Sequence, residues 1–158
     1  MEIWPSDAEA RYQLGFVYMI LHRGTEALRE FEASLRLEPN RYTERHSLAD
    51  TYLINKMNKD AIRHFKIIIQ YHPKDALALR GMGEALIQEK NFQEALVYCQ
   101  KAYEISPNTP GMIDSYAWAA YLSGNIDLAR QIVRQNGDYQ RGIDFMERRR
   151  NMILQQEN

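Results

Sequence analysis

A single cysteine, Cys99, stands among the 158 residues. It excludes an internal disulfide and fits a reducing, cytoplasmic compartment. An excess of one charge is also missing. The 20 lysines and arginines are matched by 21 acids, a net charge of -1, so the chain offers no electrostatic footprint for nucleic acid or an anionic membrane. Long hydrophobic runs are absent too. The longest uncharged apolar stretch, around Phe16 to Leu21, falls far short of a bilayer span, and no membrane insertion is expected. No positively charged, apolar leader opens the chain, which sets an expectation against a secretory signal. The chain reads equally well as a segment of a longer protein.

Catalytic patterns are lacking as well. There is no H-E-x-x-H, C-x-x-C, G-x-S-x-G or phosphate loop. Gly81-Met82-Gly83 begins like a dinucleotide fingerprint, but it falls inside a helical pattern, follows no strand and lacks a third glycine. His22, His46, His64 and His72 are scattered, none at metal-ligand spacing from another ligand, so no metal is expected. No pair of acids has a spacing that suits proton transfer. Neither a cofactor nor enzymatic activity is expected.

What the chain does have is a period. Ala27, Ala61, Ala95 and Ala129 lie 34 residues apart. Ahead of them, in the same register, come Leu14-Gly15, Leu48-Ala49, Met82-Gly83 and Tyr116-Ala117, followed by Tyr18, Tyr52, Leu86 and Ala120. Phe31, Phe65, Cys99 and Val133 follow the alanines, and Pro39, Pro73 and Pro107 close three of the units. Small residues at these positions let two antiparallel helices approach closely, while the large ones fill the space between one pair and the next. Cys99 shares the position of Phe31 and Phe65, which makes it a core thiol. The prolines fall where a missing N–H and a fixed φ end a helix without harming its interior.

Start and turn signals agree with paired helices. Ser6-Asp7-Ala8-Glu9 and Asn91-Phe92-Gln93-Glu94 have the form of capping boxes, and Thr109-Pro110 sets a capping hydroxyl before a proline at the first helical position. Gly24, Asn58, Asn91 and Gly124-Asn125 suit the turns within pairs. Asn136-Gly137 stops the eighth helix early, and Asp138 is placed to cap a ninth. In this last segment Tyr139, Ile143, Met146 and Ile153 recur at helical spacing, with Phe145 and Met152 beside them. Arg148-Arg149-Arg150 on it reads as a solvated face, with an anchor for an acidic partner as the alternative.

The L-G-x-x-Y and A-x-x-x-F segments with a closing proline resemble the tetratricopeptide repeat, in four registered copies over about residues 8–137. The resemblance implies an all-α, right-handed α-solenoid of about four helix-turn-helix repeats (8–41, 42–75, 76–109 and 110–137) within a single domain spanning 1–158. A C-terminal capping helix would follow over about 138–155. It also implies a non-enzymatic interaction module whose first helices line a concave groove for a peptide or partner helix. Carried over repeat by repeat, the groove positions are Tyr12, Phe16 and Met19; His46, Asp50 and Leu53; Arg80, Glu84 and Ile87; and Asp114, Trp118 and Tyr121. Ile20, Ile54 and Leu122 lie beside them, and for these packing between helices is the competing reading.

The family's carboxylate clamp for the acidic tails of heat-shock chaperones is not carried by these residues. Tyr12, Phe16, Leu77 and Gly81 stand where it needs lysine, asparagine and arginine, and a shift of one repeat is no better. The expected ligand is therefore an apolar-rich peptide or amphipathic helix, held by an adaptor or assembly scaffold. A targeting or regulatory segment of a larger enzyme or secretion component, and a self-assembling homo-oligomer, are the other classes the residues admit.

Overall fold

The computed structural model describes residues 7–136 and 144–155. All regular structure among them is helical: α1 Ala8–Ile20, α2 Gly24–Leu37, α3 Tyr42–Ile54, α4 Asn58–Tyr71, α5 Ala76–Gln88, α6 Phe92–Ile105, α7 Pro110–Leu122, α8 Ile126–Gln135 and α9 Asp144–Leu154. The 34-residue period is kept to the residue. Odd-numbered helices open at 8, 42, 76, 110 and 144, even-numbered ones at 24, 58, 92 and 126. Pro39, Pro73 and Pro107 each stand two residues beyond the end of α2, α4 and α6, as a helix stop requires. Tyr139, Ile143 and the expected start of the last helix at 138 lie outside the described residues.

The chain divides into two compact units, residues 1–73 and 74–158. In the first, α1 packs on α2, α3 on α4, and α2 on α3. The alanines and glycines act as the spacing predicts. Ala27 and Ala61 are wholly buried, and a Cβ added at Gly15 would stand 2.7 Å from the Phe31 ring. Phe31 and Phe65 are sealed in this core, each worth about 1.5–3 kcal/mol of apolar burial. Ser34, also buried, donates from its hydroxyl to the Ala8 carbonyl at 2.7 Å and ties α2 to the first turn of α1. A polar seam joins α2, α3 and α4. The Tyr52 hydroxyl donates to the Glu32 carboxylate, and the His64 ring stacks on Tyr52 with centroids 5.6 Å apart. Burial, reinforced by Arg63 and Arg45, pushes the His64 pKa down to about 4. The neutral ring is free to accept at Nδ1, which lies 3.5 Å from Arg45 Nη1.

In the second unit α5 pairs with α6 and α7 with α8, while α6 packs on α7. Its core gathers Cys99, Ile113, Ala117, Ala120, Ala129, Val133 and Ile153. Gly83 sits so close to Cys99 that an added Cβ would overlap Sγ. Cys99 is the buried thiol its register implies, with burial as the main cause of a pKa pushed up to about 12. Ile153 on α9 reaches the same core, and α9 packs on both α7 and α8, as expected of a capping helix.

Local signals were read less well than the period. Asp7 caps α1, accepting from the N–H groups of Glu9 and Ala10 at 2.9 and 3.2 Å. Ser6 lies outside the described residues. The Asn91 box closes side chain to side chain, Nδ2 donating to Glu94 at 2.7 Å. Thr109 makes no side-chain cap, because the Met112 N–H it would satisfy already donates to the Thr109 carbonyl at 2.9 Å. Two of the expected turn residues are displaced too, while Gly124 holds its place. Gly24 and Asn58 are the first residues of α2 and α4, and the left-handed position falls two residues earlier, at His22, Lys56, Lys90 and Gly124 (φ 57°, 60°, 60° and 85°).

Three of those four positions carry a side chain where only glycine adopts the backbone without penalty. Lys90→Gly is expected to raise the unfolding free energy by about 0.5–1 kcal/mol, and Gly124→Ala to lower it by about 1 kcal/mol. Nothing lies within 4 Å of a Cβ at 124, so the second effect has no steric contribution. Urea denaturation measures both, and unchanged midpoints would contradict the left-handed assignment.

Candidate functional site

The candidate residues sit on the odd-numbered helices, where register places them at equivalent points in successive repeats. In the first unit the face is made by α1 and α3. Tyr12 is half-buried, its ring 5.6 Å from Phe31 and its hydroxyl 3.4 Å from Ser47 Oγ across the two helices. Met19 is also half-buried and lies 3.9 Å from the Thr51 hydroxyl. The His46 ring meets Tyr42 and Phe65 edge-on at 5.2 and 6.4 Å. Phe16 and Asp50 are exposed. Leu53 is different: it is buried in the core at 8% exposure. Of the residues for which interhelical packing was the competing reading, two are open to solvent. Ile20 and Ile54, which share one register position, are 60% and 71% exposed.

In the second unit the face is made by α5 and α7, with α9 beside it. The Arg80 and Glu84 side chains approach to 3.7 Å, and Ser115 Oγ lies 3.0 Å from Glu84 Oε1. Gly111 leaves room for the Arg80 guanidinium, since a Cβ there would stand 2.9 Å from Nη1. Ile87 and Tyr121 are half-buried against the core. Trp118 stacks on Tyr121 with centroids 5.3 Å apart and planes 13° from parallel. Asp114 is buried at 3% exposure, so the polar contact expected of it is made internally.

The internal partner is Arg149. Its Nη1 lies 2.6 Å from Asp114 Oδ2, and its guanidinium covers the Trp118 ring at 4.9 Å. This corrects the reading of the arginine run as a solvated face: Arg148 is exposed, but Arg149 fastens α9 to α7. The period held the missing signal. Helix α9 opens 34 residues after α7, and the Asp114–Arg149 contact spans 35 residues, as Tyr12–Ser47 does. Helix α9 is thus the first helix of a fifth unit in register. It escaped the sequence pattern because Asn151 stands where Gly15, Ala49, Gly83 and Ala117 stand, and no small residue marks the helix. The exposed Asn151 makes that side unsuited to a close-packed second helix, which is how a cap ends an array.

Among the described residues no group of histidine, cysteine or acid side chains is placed to hold a metal ion, and no helix is long and apolar enough to cross a membrane. Residues 47–110 match the family model for the tetratricopeptide repeat. No curated protein matches the chain by sequence. Among solved structures, MamA from Desulfovibrio magneticus RS-1 is similar at 21% identity and a TM-score of 0.81, covering 88% of this chain and 78% of its own. TTC0263, a thermophilic tetratricopeptide protein of Thermus thermophilus, shares 18% identity at a TM-score of 0.76, covering 94% and 82%. YrrB, described as a tetratricopeptide protein with an unusual peptide-binding site, shares 16% at 0.76, covering 96% and 78%. At these identities the likeness is one of fold.

Arg149→Ala is expected to loosen α9 by roughly 1–3 kcal/mol, because a buried carboxylate loses its guanidinium and Trp118 its cationic cover. Hydrogen exchange by mass spectrometry should show faster exchange in residues 148–154 while α5 and α6 keep their protection. Unchanged exchange there would remove Arg149 as the fastener.

Proposed function

We propose that this chain, which belongs to the tetratricopeptide-repeat family, is a non-enzymatic protein-interaction module whose first-helix faces bind an amphipathic helix or apolar-rich peptide. It acts as an adaptor or assembly scaffold. The observation that carries this reading is the pair Ile20 and Ile54, most of whose surface faces solvent at one register position of α1 and α3, with Phe16 exposed beside them. Apolar side chains recurring at one position along a helical face suit the i, i+3, i+4 anchors of a partner helix. Phe16 supplies a rigid aromatic contact at low entropic cost. Tyr12, Met19, His46 and Asp50 frame this apolar surface, and Arg80, Glu84, Ile87, Trp118 and Tyr121 make the corresponding face of the second unit. Charged side chains there contribute selectivity more than affinity.

A homo-oligomer is the second reading, favoured by Val17. It is 48% exposed, whereas its register counterparts Thr51, Ala119 and Ile153 are at most 1% exposed. The side of α1 that a preceding helix would cover is thus open among the described residues, and a mass that rises with concentration would be the mark of its use by another copy.

The interaction reading is tested with a Phe16→Ser/Ile20→Ser/Ile54→Ser variant, whose exposed positions leave helix content intact by circular dichroism. A partner recovered by the wild type should bind the variant at least tenfold more weakly, a loss of about 1.4 kcal/mol or more. Equal affinity for both proteins would contradict the assignment of this face.

A further inference from the structure

A cavity of about 500 Å³ opens in the first unit, between the start of α3 and the end of α4. Its walls come from the α2–α3 loop at Pro39, the first turn of α3 at Tyr42 and Arg45, and the end of α4 at Ile67, Tyr71 and His72. The size lies within the range of small-molecule sites, roughly 300–1,000 Å³. Three of the walls are rings. Tyr42 and His72 meet edge-on with centroids 4.6 Å apart, and Tyr71 is 73% exposed at the rim.

The charge in this cavity has one sign. No acidic side chain lines it, and Arg45 is its cation. Neighbouring Arg41 is already engaged by Glu9, Glu38 and Glu44. Arg45 instead donates to the Pro39 carbonyl and faces the neutral His64 ring, so two of its contacts are uncharged and it has no carboxylate partner among the described residues. A guanidinium presents five donors in a fork that matches a carboxylate. A ligand is thereby oriented, with its carboxylate toward Arg45 and its ring toward Tyr71.

We propose that this cavity is a binding site for a small aromatic carboxylate, held by Arg45 at one end and by the Tyr42, Tyr71 and His72 rings at the other. None of its wall residues is among those assigned to the protein-binding face, although Tyr42 touches His46 of that face, and its test is independent of that reading.

The probes are 3-phenylpropionate, its uncharged amide, and an acetylated tripeptide ending in phenylalanine, each titrated into the full chain and followed by amide NMR. Phenylpropionate should give saturable shifts at residues 43–45 and 67–72. The amide should bind at least tenfold more weakly, as should phenylpropionate with Arg45→Met. Tyr71→Ala, at an exposed position that leaves the fold intact, should weaken binding by a similar factor. Equal binding of acid and amide, or shifts that do not saturate, would overturn the site. Tenfold tighter binding of the tripeptide would overturn its assignment to a small molecule in favour of a chain end.

Discussion

The rest of the structure depends on how closely two helices of a pair can approach. Ala27, Ala61, Ala95 and Ala129 are all wholly buried at the crossing, and Gly15 and Gly83 meet Phe31 and Cys99 with no room for a further carbon. Close approach at one face leaves the large side chains to fill the other, so each pair is unfinished until another helix packs on it. Helix α3 packs on α2 and α7 on α6 for this reason, and α9 is recruited to the end of the second unit through Ile153. The same constraint sorts surface from core. A residue's register position on a first helix largely decides whether it meets a neighbouring helix or solvent.

That periodic logic was legible in the residues. Helix pairs, the stops at Pro39, Pro73 and Pro107, the early end of α8 at Asn136 and the buried state of Cys99 all follow from side-chain volume and missing N–H groups at fixed spacing. The shortfalls share a cause, since each turns on how neighbouring groups compete for a single bond or space. The Asp7 carboxylate reaches two N–H groups at the start of α1, and the Thr109 carbonyl takes the donor its hydroxyl was expected to satisfy. Leu53 and Asp114 sit at positions that resemble the family's ligand-facing ones, yet their burial is set by the helices packed against them. Arg149 shows the converse. An arginine in a basic run carries no sign of its partner, and only the 34-residue offset from Ser115 reveals where it must lie.

The structure separates two kinds of surface within the first unit. The α1–α3 face carries the exposed apolar side chains of Ile20, Ile54 and Phe16. The cavity at Tyr42, Arg45 and Tyr71 is concave, ringed by aromatic side chains and singly charged, which suits something small and anionic. In the second unit the aromatic pair Trp118 and Tyr121 is partly committed to holding α9 through Arg149, so its contribution to a partner is tied to how firmly that helix is held.

The account rests on close approach, and the contact between Gly83 and Cys99 tests it most directly. A double-mutant cycle of Gly83→Ala and Cys99→Ala, read by urea denaturation, isolates that contact. Gly83→Ala alone should cost about 1–3 kcal/mol by overpacking, and clearly less once Cys99→Ala has removed the sulfur it meets. An equal cost in both backgrounds would show that the two helices do not meet there, and would contradict the packing on which the fold depends.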